Sequence, residues 1–187
     1  MEIGTKVLEA LRDLQKPIII GVSGFGGAGK SSFSKELGSK LHIPVVGIDS
    51  FQKTNKQEEY SLWEIMDFTR LEQEVIIPFI KEERVIKYGH FNSPTNSIYK
   101  TVEFENNGLL IIEGVGLFRP ELLKYFTYKI WVDLPVDEAI RRGKKRDREE
   151  HGDPKDEFWD SIWKENDQQY VETYKPKENA DLVVSNV

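Results

Sequence analysis

The chain has no cysteine among its 187 residues, which excludes disulfides and thiolate metal sites alike. It has no apolar run long enough to cross a bilayer, and its first residues do not read as a secretory signal. A soluble, cytoplasmic protein with no membrane partner is expected. Surplus positive charge is missing too. The formal net charge is −6, so there is no broad basic field of the kind that nucleic acid selects, and no nucleic-acid partner is expected. No internal repeat, low-complexity tract or interdomain linker interrupts the sequence. At this length one domain, residues 1–187, can bury its own core.

What the sequence does have is one uninterrupted G-x-x-x-x-G-K-S stretch: Gly24, Phe25, Gly26, Gly27, Ala28, Gly29, Lys30 and Ser31, with Ser32 next. The apolar run Ile18–Val22 precedes it, and Phe33, Leu37 and Leu41 follow at helical spacing. Strand, glycine loop and helix together form a phosphate-binding unit. Glycines let backbone N–H groups close on phosphate oxygens, and the helix start adds its positive dipole end. Lys30 is the point charge expected to meet the outer phosphates of ATP, and Ser31 offers a hydroxyl to Mg2+.

The remaining pattern alternates strands with helices. Ile3, Val7, Leu8, Leu11 and Leu14 read as one face of an N-terminal helix over residues 1–16, which Pro17 ends. Val45–Ile48, Leu109–Ile112, Lys129–Val132 and Leu182–Val184 read as buried strands. Leu62–Ile80 reads as mostly helical, and Val85–Phe91 with Ile98–Phe104 as a hairpin. The fold class expected is α/β, a three-layer sandwich around a mostly parallel sheet, with a helical lid.

Three strands end on an acid: Asp49, Glu113 and Asp133. In an open parallel sheet that end is where ligands bind. Acids gathered beside phosphate repel it unless a cation intervenes, which argues for magnesium. Glu113 is the candidate metal partner beside Ser31, with a capping or turn role as its competitor. Asp133 reads better as a helix cap. Asp49 faces the place where an incoming hydroxyl would sit, so base, metal-water ligand and plain loop acid all stay open for it. Six basic residues lie between Arg141 and Arg148. Arg142 and Arg146 share one helix flank and are candidates to neutralise a transferring phosphoryl group, in a lid spanning approximately 141–157. The others read as a solvated face.

The stretches Gly21–Ser32, Gly47–Phe51, Ile111–Gly114, Val132–Arg142 and Arg146–Asp147, with the tail Ala180–Val184 and Asn186, are together similar to the uridine kinase family and its wider phosphoribulokinase group. That resemblance covers nearly everything after Pro17. It implies a P-loop kinase fold that moves the γ-phosphate of ATP to a small-molecule hydroxyl, with Asp49 as base and Arg142 and Arg146 as lid arginines. It implies Asp49 and Tyr88 on the acceptor side, where Phe51, Asp67, Trp63 and Arg70 are further candidates. For Trp63, core packing competes, and His90 reads as an ordinary sheet residue. The chain departs from the family at Gln52, where tyrosine is usual, and at Gly89, where aspartate is usual. Both changes fall on the acceptor region. Kinases of other hydroxylated metabolites and a regulatory ATPase therefore remain alternatives to a uridine- or cytidine-like acceptor. Asn55–Glu58 has the wrong acid and lies too early to read guanine.

Overall fold

The computed structural model describes residues 3–54, 60–149, 152 and 154–186. Five strands form one parallel sheet: β1 (Ile18–Gly24), β2 (Val45–Gly47), β5 (Leu109–Glu113), β6 (Tyr128–Asp133) and β7 (Leu182–Ser185). Their spatial order is β2-β5-β1-β6-β7. Strand β1 therefore lies at the centre, in register with β5 from Ile18–Leu109 to Val22–Glu113 and with β6 on its other side. Because the sheet is covered on both faces, its strands are apolar throughout rather than alternating. Ile18, Ile20 and Val22 face a cluster with Val7, Leu11 and Leu37. Ile19 faces a larger one containing Phe118, Trp131 and Tyr170.

Helices α1 (Ile3–Leu11) and α2 (Lys30–Leu41) supply the first of those covers. The N-terminal helix is shorter than the sequence suggests, and its apolar face is narrower. Val7 and Leu11 are buried, but Leu8 and Leu14 are exposed. The stretch expected to be helical from Leu62 also starts later. Leu62 and Trp63 have left-handed backbones, with φ of 50° and 61°, which no helix accommodates. The helix begins as α3 (Phe68–Leu71), capped by the Asp67 side chain on Arg70 N–H. A π-helical turn, Glu72–Ile76, leads into α4 (Ile77–Ile80). Pro78 lies just beyond that wider turn, which relieves the clash its ring would make in a regular helix.

Strands β3 (Val85–Asn92) and β4 (Ser97–Glu105) form a separate antiparallel hairpin. After β5 come the short α5 (Pro120–Leu123), then β6, α6 (Val136–Glu149), α7 (Asp156–Asp160) and α8 (Ile162–Tyr174). Among the described residues no helix is long and apolar enough to cross a membrane.

Candidate active site

The glycine stretch leaves the carboxyl end of the central strand and turns directly into α2. Gly27 and Gly29 have φ of 80° and 91°. Other residues strain in that region, and here space forbids them as well. A Cβ on Gly27 would lie 2.1 Å from the Ala139 carbonyl oxygen, and one on Gly29 would lie 2.5 Å from Asn186 Nδ2. The loop is thus wedged between α6 and the segment after β7. Asn186 Nδ2 donates to the Ala28 carbonyl at 2.7 Å, and Arg142 holds the Asn186 carbonyl at 2.9 Å.

Lys30 is buried, and its Nζ donates to the Phe25 carbonyl at 2.7 Å. Burial pushes its pKa down, while the charges of Glu113, Asp167 and Asp49 oppose that and Arg146 adds to it. Glu113 ends β5 with only 7% of its surface exposed. Burial raises its pKa, Lys30 lowers it, Asp49 raises it, and a hydrogen bond with the Ser31 side chain lowers it. The structure therefore places Ser31 beside Glu113 at the mouth of the loop. One buried ammonium faces three carboxylates. The Ser31 hydroxyl and the Glu113 carboxylate are neighbouring hard oxygen donors, which fits a divalent cation and the phosphates it would accompany.

Asp49 lies one turn beyond β2, in the 3-10 turn Ile48–Phe51, and is exposed. Its neighbours are fixed tightly. Arg70 lies over the Phe51 ring at 4.7 Å and donates to the Ser50 and Gly89 carbonyls at 2.5 and 2.9 Å. His90 Nδ1 and Ser50 Oγ are 2.6 Å apart, so the histidine contacts the Asp49 turn. Burial and Lys100 lower the His90 pKa, against Asp49. Tyr88 is buried and stacks on Phe51, with ring centroids 5.3 Å apart at 25°. Asp67 serves as the cap of α3. Asp49, Phe51 and Tyr88 thus converge on one side of the loop, with Asp67 at the foot of the adjoining helix. Asp133 accepts from Trp131 Nε1 at 3.0 Å and Lys177 at 2.8 Å.

Arg142 and Arg146 lie on α6 and are held by acids. Arg142 pairs with Glu138 at 2.8 Å and Arg146 with Asp147 at 2.9 Å. Of the expected lid turn, Glu150, His151 and Asp153 lie outside the described residues, as do Asn55–Glu58 of the earlier loop.

Sequence reasoning missed Asp167. It lies on α8 with 2% of its surface exposed, and its Oδ2 accepts from the N–H of Gly26 in the phosphate loop at 2.9 Å. Burial pushes its pKa up to about 6, despite Lys30 and two hydrogen bonds. No motif announces it: Glu165-Asn166-Asp167 reads as the polar flank of a helix.

No family model matches the chain. It is 25% identical to a uridine kinase of Lactobacillus helveticus over 91% of its own length and 87% of that protein's. It is 27% identical to a uridine kinase of Pectobacterium atrosepticum, covering 89% and 86%. Among solved structures, a possible uridine kinase from Bacillus stearothermophilus superposes with TM-score 0.72 at 17% identity, covering 96% of each chain. A putative fructose transport system kinase from Silicibacter superposes with TM-score 0.76 at 20% identity, covering 98% and 99%. The fold, the phosphate loop and the relatives named uridine kinase together support a P-loop phosphotransferase of the α/β class. Within that class the chain is similar to these uridine kinases over about nine tenths of its length.

Proposed function

We propose that the protein moves the γ-phosphate of ATP to a hydroxyl of a small molecule, a nucleoside of the uridine or cytidine kind. The observation that carries this reading is the meeting of four groups at one sheet edge. They are the wedged phosphate loop, the buried Lys30, the Ser31–Glu113 pair and the exposed Asp49. The backbone of Gly24–Ser32 would cradle the phosphates, and Lys30 would leave the Phe25 carbonyl to meet the outer ones. Ser31 and Glu113 would hold Mg2+, which would supply positive charge to offset the phosphates.

The acceptor oxygen would attack the γ-phosphorus as its bond to the ADP oxygen breaks, and Asp49 would orient the hydroxyl and take its proton. Asp49 suits this better than Glu113. It is exposed at the crevice, whereas Glu113 is buried against Ser31. Arg142 and Arg146 would exchange their carboxylate partners for the transferring phosphoryl group, in a lid drawn from residues 141–157.

One observation favours a second acceptor class. Tyr88 turns inward onto Phe51, and Arg70 and Ile98 fill the space beside Gly89. That wall is more polar and tighter than an open aromatic slot, and suits a smaller hydroxylated metabolite. The test is coupled ADP release from Mg-ATP against a panel of nucleosides and small polyols. Acceptor-dependent ADP release with a phosphorylated product is expected. ATP turnover unaffected by any acceptor would favour a regulatory ATPase instead.

A further inference from the structure

A buried carboxylate on α8 reaches into the phosphate loop from a helix that neither the motif nor the acceptor segments include. Asp167 has both oxygens engaged. Oδ2 accepts from Gly26 N–H at 2.9 Å, and Oδ1 accepts from the indole N–H of Trp63 at 2.9 Å. Its neighbour Asn166 holds the same turn: Oδ1 accepts from the Trp63 backbone N–H at 2.5 Å, and Nδ2 donates to the Tyr60 carbonyl at 3.1 Å. The Trp63 turn then runs into the Gln52–Met66 bridge, and the Asp67 N–H donates to the Phe51 carbonyl. Gln52 and Phe51 directly follow the Asp49 turn.

We infer that Asp167 is a positioning residue that ties the phosphate loop to the Tyr60–Asp67 turn, and through it to the Asp49 segment, so that donor and acceptor sides are held in one register. The inference rests on the phosphotransferase reading for its purpose, but its geometry stands alone. Both partners of the carboxylate are N–H donors, so the group must accept at both oxygens. An ionised carboxylate does so at full strength, with neither oxygen carrying a proton. Asparagine has one accepting oxygen and an amide that donates, and a protonated carboxyl has one good acceptor and a hydroxyl that donates and accepts only weakly. Either would weaken or release one of the two links. A side chain kept only for packing would not need charge in a site this dry, where burial disfavours the ionised form. The groups facing the carboxylate are Lys30 from α2, Tyr170 on α8 itself, Gly26 and Trp63. The Tyr170 hydroxyl is raised by burial and stays neutral over the physiological range.

The experiment compares wild type, Asp167→Asn, Trp63→Phe and the double variant in two assays. Mg-ADP binding is measured by calorimetry from pH 5 to pH 8, and exchange of the Gly26 amide is measured by NMR without nucleotide. At pH 8, Asp167→Asn should bind Mg-ADP about 10-fold more weakly and Trp63→Phe about 5-fold, and the double variant should match Asp167→Asn, because the two changes cut one link. Gly26 exchange should quicken about 10-fold in Asp167→Asn. The wild-type advantage over either variant should shrink towards parity at pH 5, where the wild-type carboxyl is itself protonated. Multiplying single effects, pH-independent ratios, or Gly26 exchange unchanged in both variants would overturn the tether. If Asp167→Asn does not fold, Trp63→Phe is read by itself for the convergence at low pH and for Gly26 exchange. A wild type that binds no Mg-ADP at all would sink the kinase reading, while Gly26 exchange would still decide the tether.

Discussion

Replacing Lys30 by methionine keeps the length of the side chain and removes its charge. Only 7% of the lysine's surface is exposed, and its ammonium faces Glu113, Asp167 and Asp49. Two of those acids, Glu113 and Asp167, are buried as well. Breaking a buried pair by removing one partner costs about 3–5 kcal/mol, because a charge is left without compensation. Two effects hold the cost to the lower end. Burial already disfavours the charged lysine, and the stranded carboxyls can escape by taking up protons. Asp167, at about 6 instead of 3.8, is already disfavoured as an anion by about 3 kcal/mol. We expect a deficit of about 3 kcal/mol at pH 8.

The pH dependence follows from the same shifts. Carboxyls whose folded pKa is raised contribute their stability at low pH and lose it as the pH rises through that folded value. Without Lys30 those values rise further, so the variant falls behind wild type from about pH 6 upward and regains ground below. The deficit should shrink to about 1 kcal/mol at pH 5. Urea unfolding followed by the fluorescence of the four tryptophans reads it. With a slope of about 2 kcal/mol/M, the pH 8 midpoint should drop by about 1.5 M. An equal deficit at every pH, or none at pH 8, would refute the account of Lys30 as counter-charge to buried acids.

Three further outcomes are expected. Asp49→Asn should leave Mg-ATP affinity nearly intact and cut acceptor phosphorylation by about 10²-fold or more, read in the coupled assay once the acceptor is found; rescue by added magnesium would reassign Asp49 to the metal. Glu113→Gln should lose activity in a way that extra magnesium partly restores, and a magnesium titration of kcat checks it. Arg142→Ala and Arg146→Ala should lower kcat more than they raise KM for ATP, since the charge they meet develops in the transition state; unchanged turnover with altered solubility would return both to a solvated helix face.

The phosphate loop was legible because its chemistry is carried by the backbone, and only a fixed order of glycines, lysine and serine permits that backbone. The sheet was legible for a related reason. Strands buried on both faces must be apolar at every position, and Leu109–Ile112 and Ile18–Ile20 are. Where a long-range partner decides the conformation, the sequence is silent. The Leu62–Ile80 pattern is periodic enough for a helix, yet its first residues are bent by Asn166 and Asp167, about a hundred positions away. Leu8 and Leu14 fit an amphipathic stripe, but among its described residues only Val7 and Leu11 reach the cluster under the sheet. Asp167 was invisible because its function depends on reaching the loop, and a carboxylate on a polar helix flank carries no mark of what lies opposite.

The packing also limits which part of the lid can move. The Ala139 carbonyl stands where any side chain at Gly27 would have to go. Four residues on, Gly143 lies beneath the Trp159 indole, so close that a Cβ would sit 2.3 Å from the ring. Trp159 also covers Gly26 and donates to the buried Asp147 carboxylate at 2.8 Å. The root of α6 is therefore clamped to the phosphate loop, directly at Gly27 and through the indole at Gly26. A lid that swung the whole helix would break both contacts and open the loop that it is meant to close. Motion is cheaper beyond that clamp, where the pairings of Lys144 with Asp160 and of Arg148 with Asp156 are exposed and such surface pairs contribute little. Arg142 and Arg146 flank the clamp on the helix itself, so any approach of theirs to a phosphoryl group would have to come from side-chain rotation away from Glu138 and Asp147 rather than from displacement of the backbone.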